Sequence, residues 1–230
     1  MNTTERQARY DHLLQRAVET RLATMNRRSL LRTGAIAGGA ALAFGGGGLR
    51  ALAQDSTPMA QEAPFGGPVD VLNYALTLEH LEAAFYRDGL AAIGEAGITG
   101  LGFMPGVFDY LTEIGNHEAA HVMTLTDVVT QLGGTPVAEQ KYDFGYSDAA
   151  GFLQVAQALE DTGVAAYQGA AQYLMENDDL LTAALTIHGV EARHAAYLAI
   201  LNGQNPYPEA VNPTLTPSEV LEIATPFIQM

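Results

Sequence analysis

One short spacing occurs twice in the chain, as Glu118-Ala119-Ala120-His121 and Glu191-Ala192-Arg193-His194. On a helix, residues three apart lie on one face. Each segment therefore sets a carboxylate beside an imidazole, and both groups can ligate one metal ion. Two such helices facing each other hold a pair of ions when each of two further helices adds a Glu. That requirement restricts the fold severely, because four separate stretches of sequence must meet at one level of a bundle.

Helical periodicity supplies four long segments. The first runs from Val69 to about Ile93, with Val71, Leu72, Ala75, Leu78 and Phe85 at helical spacing after Pro68. Gly94, Gly97, Gly100, Gly102 and Pro105 then mark a connection. The second runs from about Gly106 to Leu132, ended by Gly133-Gly134-Thr135-Pro136. Residues 133–147 show no period and predict a long crossover. Ser147-Asp148 offers an N-cap for a third helix to about Glu176. The fourth runs from about Leu180 to Leu201, after the turn Asn177-Asp178-Asp179. Thr216-Pro217-Ser218-Glu219 predicts a capped short helix over Ser218 to Ala224. Val220, Leu221, Ile223, Phe227 and Ile228 are expected to pack on the bundle. The fold class is all-α, a four-helix bundle with a crossover between helices two and three.

Helices one and three supply the missing carboxylates. Leu78-Glu79 is followed by Tyr86, and Leu159-Glu160 by Tyr167, with seven residues from each Glu to its Tyr. Nearly two turns separate them, so Glu and Tyr share a face. The chain thus repeats a helix pair, Glu-x6-Tyr then Glu-x-x-His. With 15 Glu and 6 His among 230 residues, about 0.4 Glu-x-x-His matches arise by chance, so two alone say little. Their placement on alternate helices, with the Glu-Tyr pair on the others, is what carries weight. Glu82 competes with Glu79, and the register of Leu159-Glu160 to Tyr167 favours Glu79. His188 is a candidate outer partner; His80 and His117 are expected at the surface. Gly115, Gly163 and Gly189 would let backbones approach near the site.

This pattern resembles the ferritin-like di-metal carboxylate proteins across residues 69–203, and within them the exported bacterial ferritin-like domain proteins, some described as desiccation-related. The resemblance implies two divalent ions, iron or manganese with zinc as a further fit, held by Glu79, Glu118, His121, Glu160, Glu191 and His194. Tyr86 and Tyr167 would hydrogen-bond to ligand carboxylates. Open coordination positions imply dioxygen or peroxide as substrate, and Fe(II) oxidation, peroxide reduction or catalase-like disproportionation as candidate reactions. The residue after Glu118 is Ala119, not the Met of haem-binding bacterioferritins, so no haem is expected. No rubredoxin-type cysteine pairs are present. The 27-residue tail Gln204 to Met230 does not resemble the fifth helix of cage-forming ferritins. A stress-related structural or binding protein, with a vestigial or structural metal site, is the alternative.

Charge and composition narrow the partners. There is no Cys, which excludes disulfides, thiolate zinc sites and iron–sulfur clusters. Residues 54–230 hold 3 basic and 23 acidic residues, a formal net charge of −20. Such a surface repels nucleic acid and anionic lipid and attracts cations. A homodimer is among the open assemblies. Residues 1–53 read as leader and export signal, 54–67 as flexible linker, 68–203 as bundle and 204–230 as a tail packed on it. Asn26-Arg27-Arg28-Ser29-Leu30-Leu31-Arg32 resembles a twin-arginine signal, followed by a Gly/Ala-rich run from Thr33 to Leu49 and a small-residue cleavage pattern at Ala51-Leu52-Ala53. The run is 17 residues with four consecutive glycines, too short and too flexible for stable membrane insertion. Met25 would give a conventional short start, which makes residues 1–24 either a mis-assigned start or a real extension. The protein is expected to act outside the cytoplasmic membrane.

Overall fold

The computed structural model describes residues 64–229. The leader and signal (1–53) and linker residues 54–63 lie outside the described residues. Four long helices form the bundle: α1 (Pro68–Thr99), α2 (Val107–Gln131), α3 (Ala149–Ala170) and α4 (Asp178–Leu201). A short α5 (Pro217–Ala224) follows. Among the described residues there is no strand, only an isolated antiparallel bridge between Tyr142 and Ile228. None of their helices is long and apolar enough to cross a membrane.

Local chemistry sets the ends. The Asp148 carboxylate accepts from the Gly151 amide at 2.8 Å and starts α3. Asn177 accepts from the Leu180 amide at 3.0 Å and starts α4. Thr216 and Glu219 close a reciprocal capping box on α5. Gly133 follows α2 with φ +77°, a conformation L side chains rarely adopt.

Two boundaries and one buried face differ from expectation. Helix α1 runs on to Thr99, but with a break at Gly94 (φ 68°, ψ 169°), so the glycine interrupts the helix without ending it. Helix α3 stops at Ala170 and tightens into a 3-10 turn over Ala171–Leu174, rather than reaching Glu176. There, a side chain at Gly169 would collide with the Leu215 carbonyl, because the tail crosses α3 at that point. In α5, Val220 and Ala224 are buried, whereas Leu221 and Ile223 are each 40% exposed. An eight-residue helix has one face to bury, and those two lie off it.

Helices α1 and α2 form one hairpin and α3 and α4 another, with α1 against α3 between them. The core divides in two along the bundle. One part centres on Phe85 and Phe152, stacked 4.6 Å apart with rings 4° from parallel. The crossover folds Phe144 and Tyr146 edge-on over Phe85. The other part contains Leu72, Leu76, Leu125, Val129 and Ile187. The crossover is tied down by Asn73, which meets Thr135 and Val137, by His80 on the Val137 carbonyl, and by the Arg87–Glu139 ion pair. His80 is therefore half-buried rather than a surface residue.

Candidate metal centre

Polar side chains interrupt this apolar interior at one level. Glu79, Glu118, Glu160 and Glu191 are fully buried, and His121 and His194 nearly so. All six expected ligand residues come together there. They form two overlapping groups whose donor atoms lie within 4.8 Å of one another. The first is Glu79, Glu118, His121 and Glu191; the second is Glu118, Glu160, Glu191 and His194. Glu118 and Glu191 belong to both, which is the arrangement two adjacent ions need.

The distances show a shortage of donors. His121 Nδ1 lies 3.1 Å from Glu79 Oε2, 2.9 Å from Glu118 Oε2 and 3.2 Å from Glu191 Oε1. One ring N–H cannot serve three carboxylates. His194 Nδ1 lies 2.9 Å from Glu118 Oε1 and 3.1 Å from Glu160 Oε2. Its hydrogen bond goes to Glu160, and Glu118 Oε1 and both oxygens of Glu191 are buried with no hydrogen-bond partner. The described basic side chains, Arg87, Lys141 and Arg193, are all exposed and supply no charge inside. Buried carboxylates without partners are costly, and cations bound between the two imidazoles and these oxygens would satisfy the orphaned Glu118 and Glu191.

Titration follows the same imbalance. Burial, aided by the charges of Glu191 and Glu118, pushes Glu79 up to about 8 against the pull of His121. Burial likewise raises Glu160 and Glu191. Burial would also raise Glu118, but the close imidazoles of His121 and His194 outweigh it and hold that group down at about 2. Burial disfavours the charged imidazoles, yet the surrounding carboxylates prevail and raise His121 to about 12 and His194 to about 10.

The two tyrosines act across the bundle. Tyr86 on α1 donates to Glu160 on α3 at 2.7 Å, and Tyr167 on α3 donates to Glu79 on α1. Each hydroxyl orients the carboxylate of the opposite hairpin, a reciprocity that follows from the repeated Glu-x6-Tyr. Gly115 lets α2 close on Tyr86, since a Cβ there would lie 2.9 Å from the Tyr86 Cβ. Gly163 leaves room for Glu191 in the same way. Gly189, expected to allow a similar approach, faces open space.

Two residues join the site that spacing did not select. His117 is exposed, as expected, but its Nδ1 meets His194 Nε2 at 3.0 Å. It thereby fixes the ring whose other nitrogen faces the carboxylates. Glu82 is buried beside the ligand groups as well as Glu79. Adjacency of His117 to Glu118 was the available signal for the first, and the three-residue spacing from Glu79 for the second, which the sequence reading set aside in favour of Glu79. His188 stands apart from the centre, with a buried Nε2 that has no partner.

Residues 67–204 match the family described as Ferritin-like domain. The chain belongs to that family. Among solved structures, this ferritin-like chain is similar to one titled ferritin like, diiron-carboxylate proteins from Bacillus anthracis str. Ames, at 18% identity and a TM-score of 0.51, covering 58% of this chain and 94% of that one. A conserved hypothetical protein from Mycobacterium tuberculosis is similar at 21% identity and a TM-score of 0.48, covering 57% and 93%. No curated protein matches. The first likeness supports the fold; the site stands on its own geometry.

Proposed function

We propose that this protein is an exported di-metal carboxylate protein that binds two ions of iron or manganese and does redox chemistry with dioxygen or peroxide. The observation that carries it is the pair of imidazole Nδ1 atoms, each set among carboxylate oxygens that outnumber the available N–H groups. Glu79 and His121 would serve one ion, Glu160 and His194 the other, and Glu118 and Glu191 both. The Bacillus protein's printed description as diiron-carboxylate agrees with this reading. Oxygen and nitrogen donors without sulfur suit iron and manganese, and zinc fits the same set.

Bound iron or manganese would supply the electrons for reducing dioxygen or peroxide. The protein's own part is to hold, orient and shield. Tyr86 and Tyr167 fix the outer carboxylates, and His117 fixes His194. The apolar layers on either side keep bulk water from the centre. A role in oxidative or desiccation stress follows from the resemblance of the sequence to exported proteins of that kind, and export from Asn26 to Arg32 in the leader.

Elemental analysis of residues 54–230, purified without added metal, tests the reading. About two Fe or Mn per chain are expected, lost in the Glu118→Ala/Glu191→Ala double variant, followed by oxidase and peroxidase turnover above the metal-free background. A folded helical protein with well under one ion per chain would overturn it and leave a structural or binding role.

A further inference from the structure

The two halves of the bundle repeat the same pattern, Glu-x6-Tyr then Glu-x-x-His, but differ in the carboxylates beside it. Glu79 corresponds to Glu160, and three residues on, Glu82 corresponds to Gly163. A Cβ at Gly163 would lie 3.1 Å from Glu82 Oε1 and 3.3 Å from Glu191 Oε2. Space vacated on α3 is thus filled from α1 by a carboxylate, next to an orphaned carboxylate of both ligand groups.

Glu82 is 3% exposed. Beside it, under α5, is a cavity of about 10 Å³ walled in part by Leu81, Leu159 and Ile223, at the lower limit for one water. A carboxylate in such a place is costly unless a cation lies within reach.

We propose that Glu82 is a fifth carboxylate donor to the same metal centre, reaching it through the space left by Gly163 and biasing it towards ions of charge above +2. The inference rests on the di-metal reading above. Four carboxylates balance two divalent ions; a fifth leaves one negative charge in excess. Attraction to that charge grows with ion charge and is strong where water is excluded. Because α3 has no counterpart of Glu82, the two metal positions are inequivalent.

The test compares the full chain with Glu82→Gln, which keeps size and removes charge, and with Gly163→Ala, which keeps Glu82 but crowds it. Each is stripped with chelator and equilibrated by dialysis against Mn(II), or against citrate-buffered Ga(III) as a redox-inert trivalent probe. Bound metal is measured directly, and circular dichroism checks the helix content. We expect Glu82→Gln to weaken Ga(III) binding at least tenfold and Mn(II) binding by clearly less, with Gly163→Ala shifted in the same direction. Isotherms within twofold of wild type in both variants would overturn the proposal and leave Glu82 as a carboxyl beside a water-sized cavity. Equal losses for the two ions would overturn the charge bias. Wild-type protein that binds neither ion would instead defeat the di-metal reading itself.

Discussion

Substituting a Glu that belongs to both ligand groups should act on two ions, and substituting one that belongs to a single group on one. Glu118→Ala is thus expected to abolish metal binding, and Glu79→Ala to leave about one ion per chain, both read by elemental analysis. The outer hydroxyls matter less. Tyr86→Phe removes the 2.7 Å bond to Glu160 and should weaken binding about 10- to 100-fold without changing stoichiometry at saturation, measured by competition with a chelator. At this scale the gathering of the six Glu and His residues was legible, because helical spacing pairs Glu118 with His121 and Glu191 with His194 and the repeated Glu-x6-Tyr marks Glu79 and Glu160. The burial of Glu82 was not, because it depends on Gly163, a residue far along the chain that has no side chain to signal anything. His117 was read as a surface residue, which it is; its bond to His194 depends on how α2 and α4 face each other.

The helices owe their starts to caps and their mutual fit to aromatic packing, and each can be tested. Asp148→Ala removes the α3 cap and should cost about 1 kcal/mol. Phe152→Ala, at the fully buried stack with Phe85, should cost about 3–5 kcal/mol, and chemical denaturation would separate the two. A loss at Phe152 no larger than at Asp148 would mean that the stack relaxes to fill the hole. Caps and glycines made four helices readable within a few residues. The exceptions are instructive. Gly94 looks like a stop, yet the chain resumes its helix beyond it. The tail crosses α3 at Gly169, one residue before the helix ends, a contact between distant segments that periodicity cannot report.

For the whole molecule, acid and metal act on the same reserve of stability. Glu79 holds its proton more tightly in the folded chain, at about 8 against 4.5, so its contribution is complete below pH 4.5 and is lost as pH rises through about 8. Glu82, Glu160 and Glu191 shift in the same direction. His121 and His194 contribute fully below pH 6.5 and lose that contribution as pH rises through about 12 and about 10. Glu118 opposes this, its contribution being lost only as pH falls from 4.5 through about 2. The metal-free protein should therefore melt at a lower temperature at about pH 8 than at about pH 5, measured by circular dichroism. Two ions at a hundredfold excess over Kd should raise the melting temperature on the order of 10–20 °C, with the larger gain at the higher pH. An unchanged melting temperature between the two pH values would show that the carboxylates are already neutralised by other means.

Each ligand group also draws on both hairpins, Glu191 completing the first and Glu118 the second. A nascent α1–α2 hairpin would therefore lack one carboxylate of its group until the other half arrives. Occupancy would then report completed assembly, and the ions would depart no faster than the hairpins part. The centre would behave as a clasp whose release time is set by the opening of the bundle, not by the exchange of any single ligand.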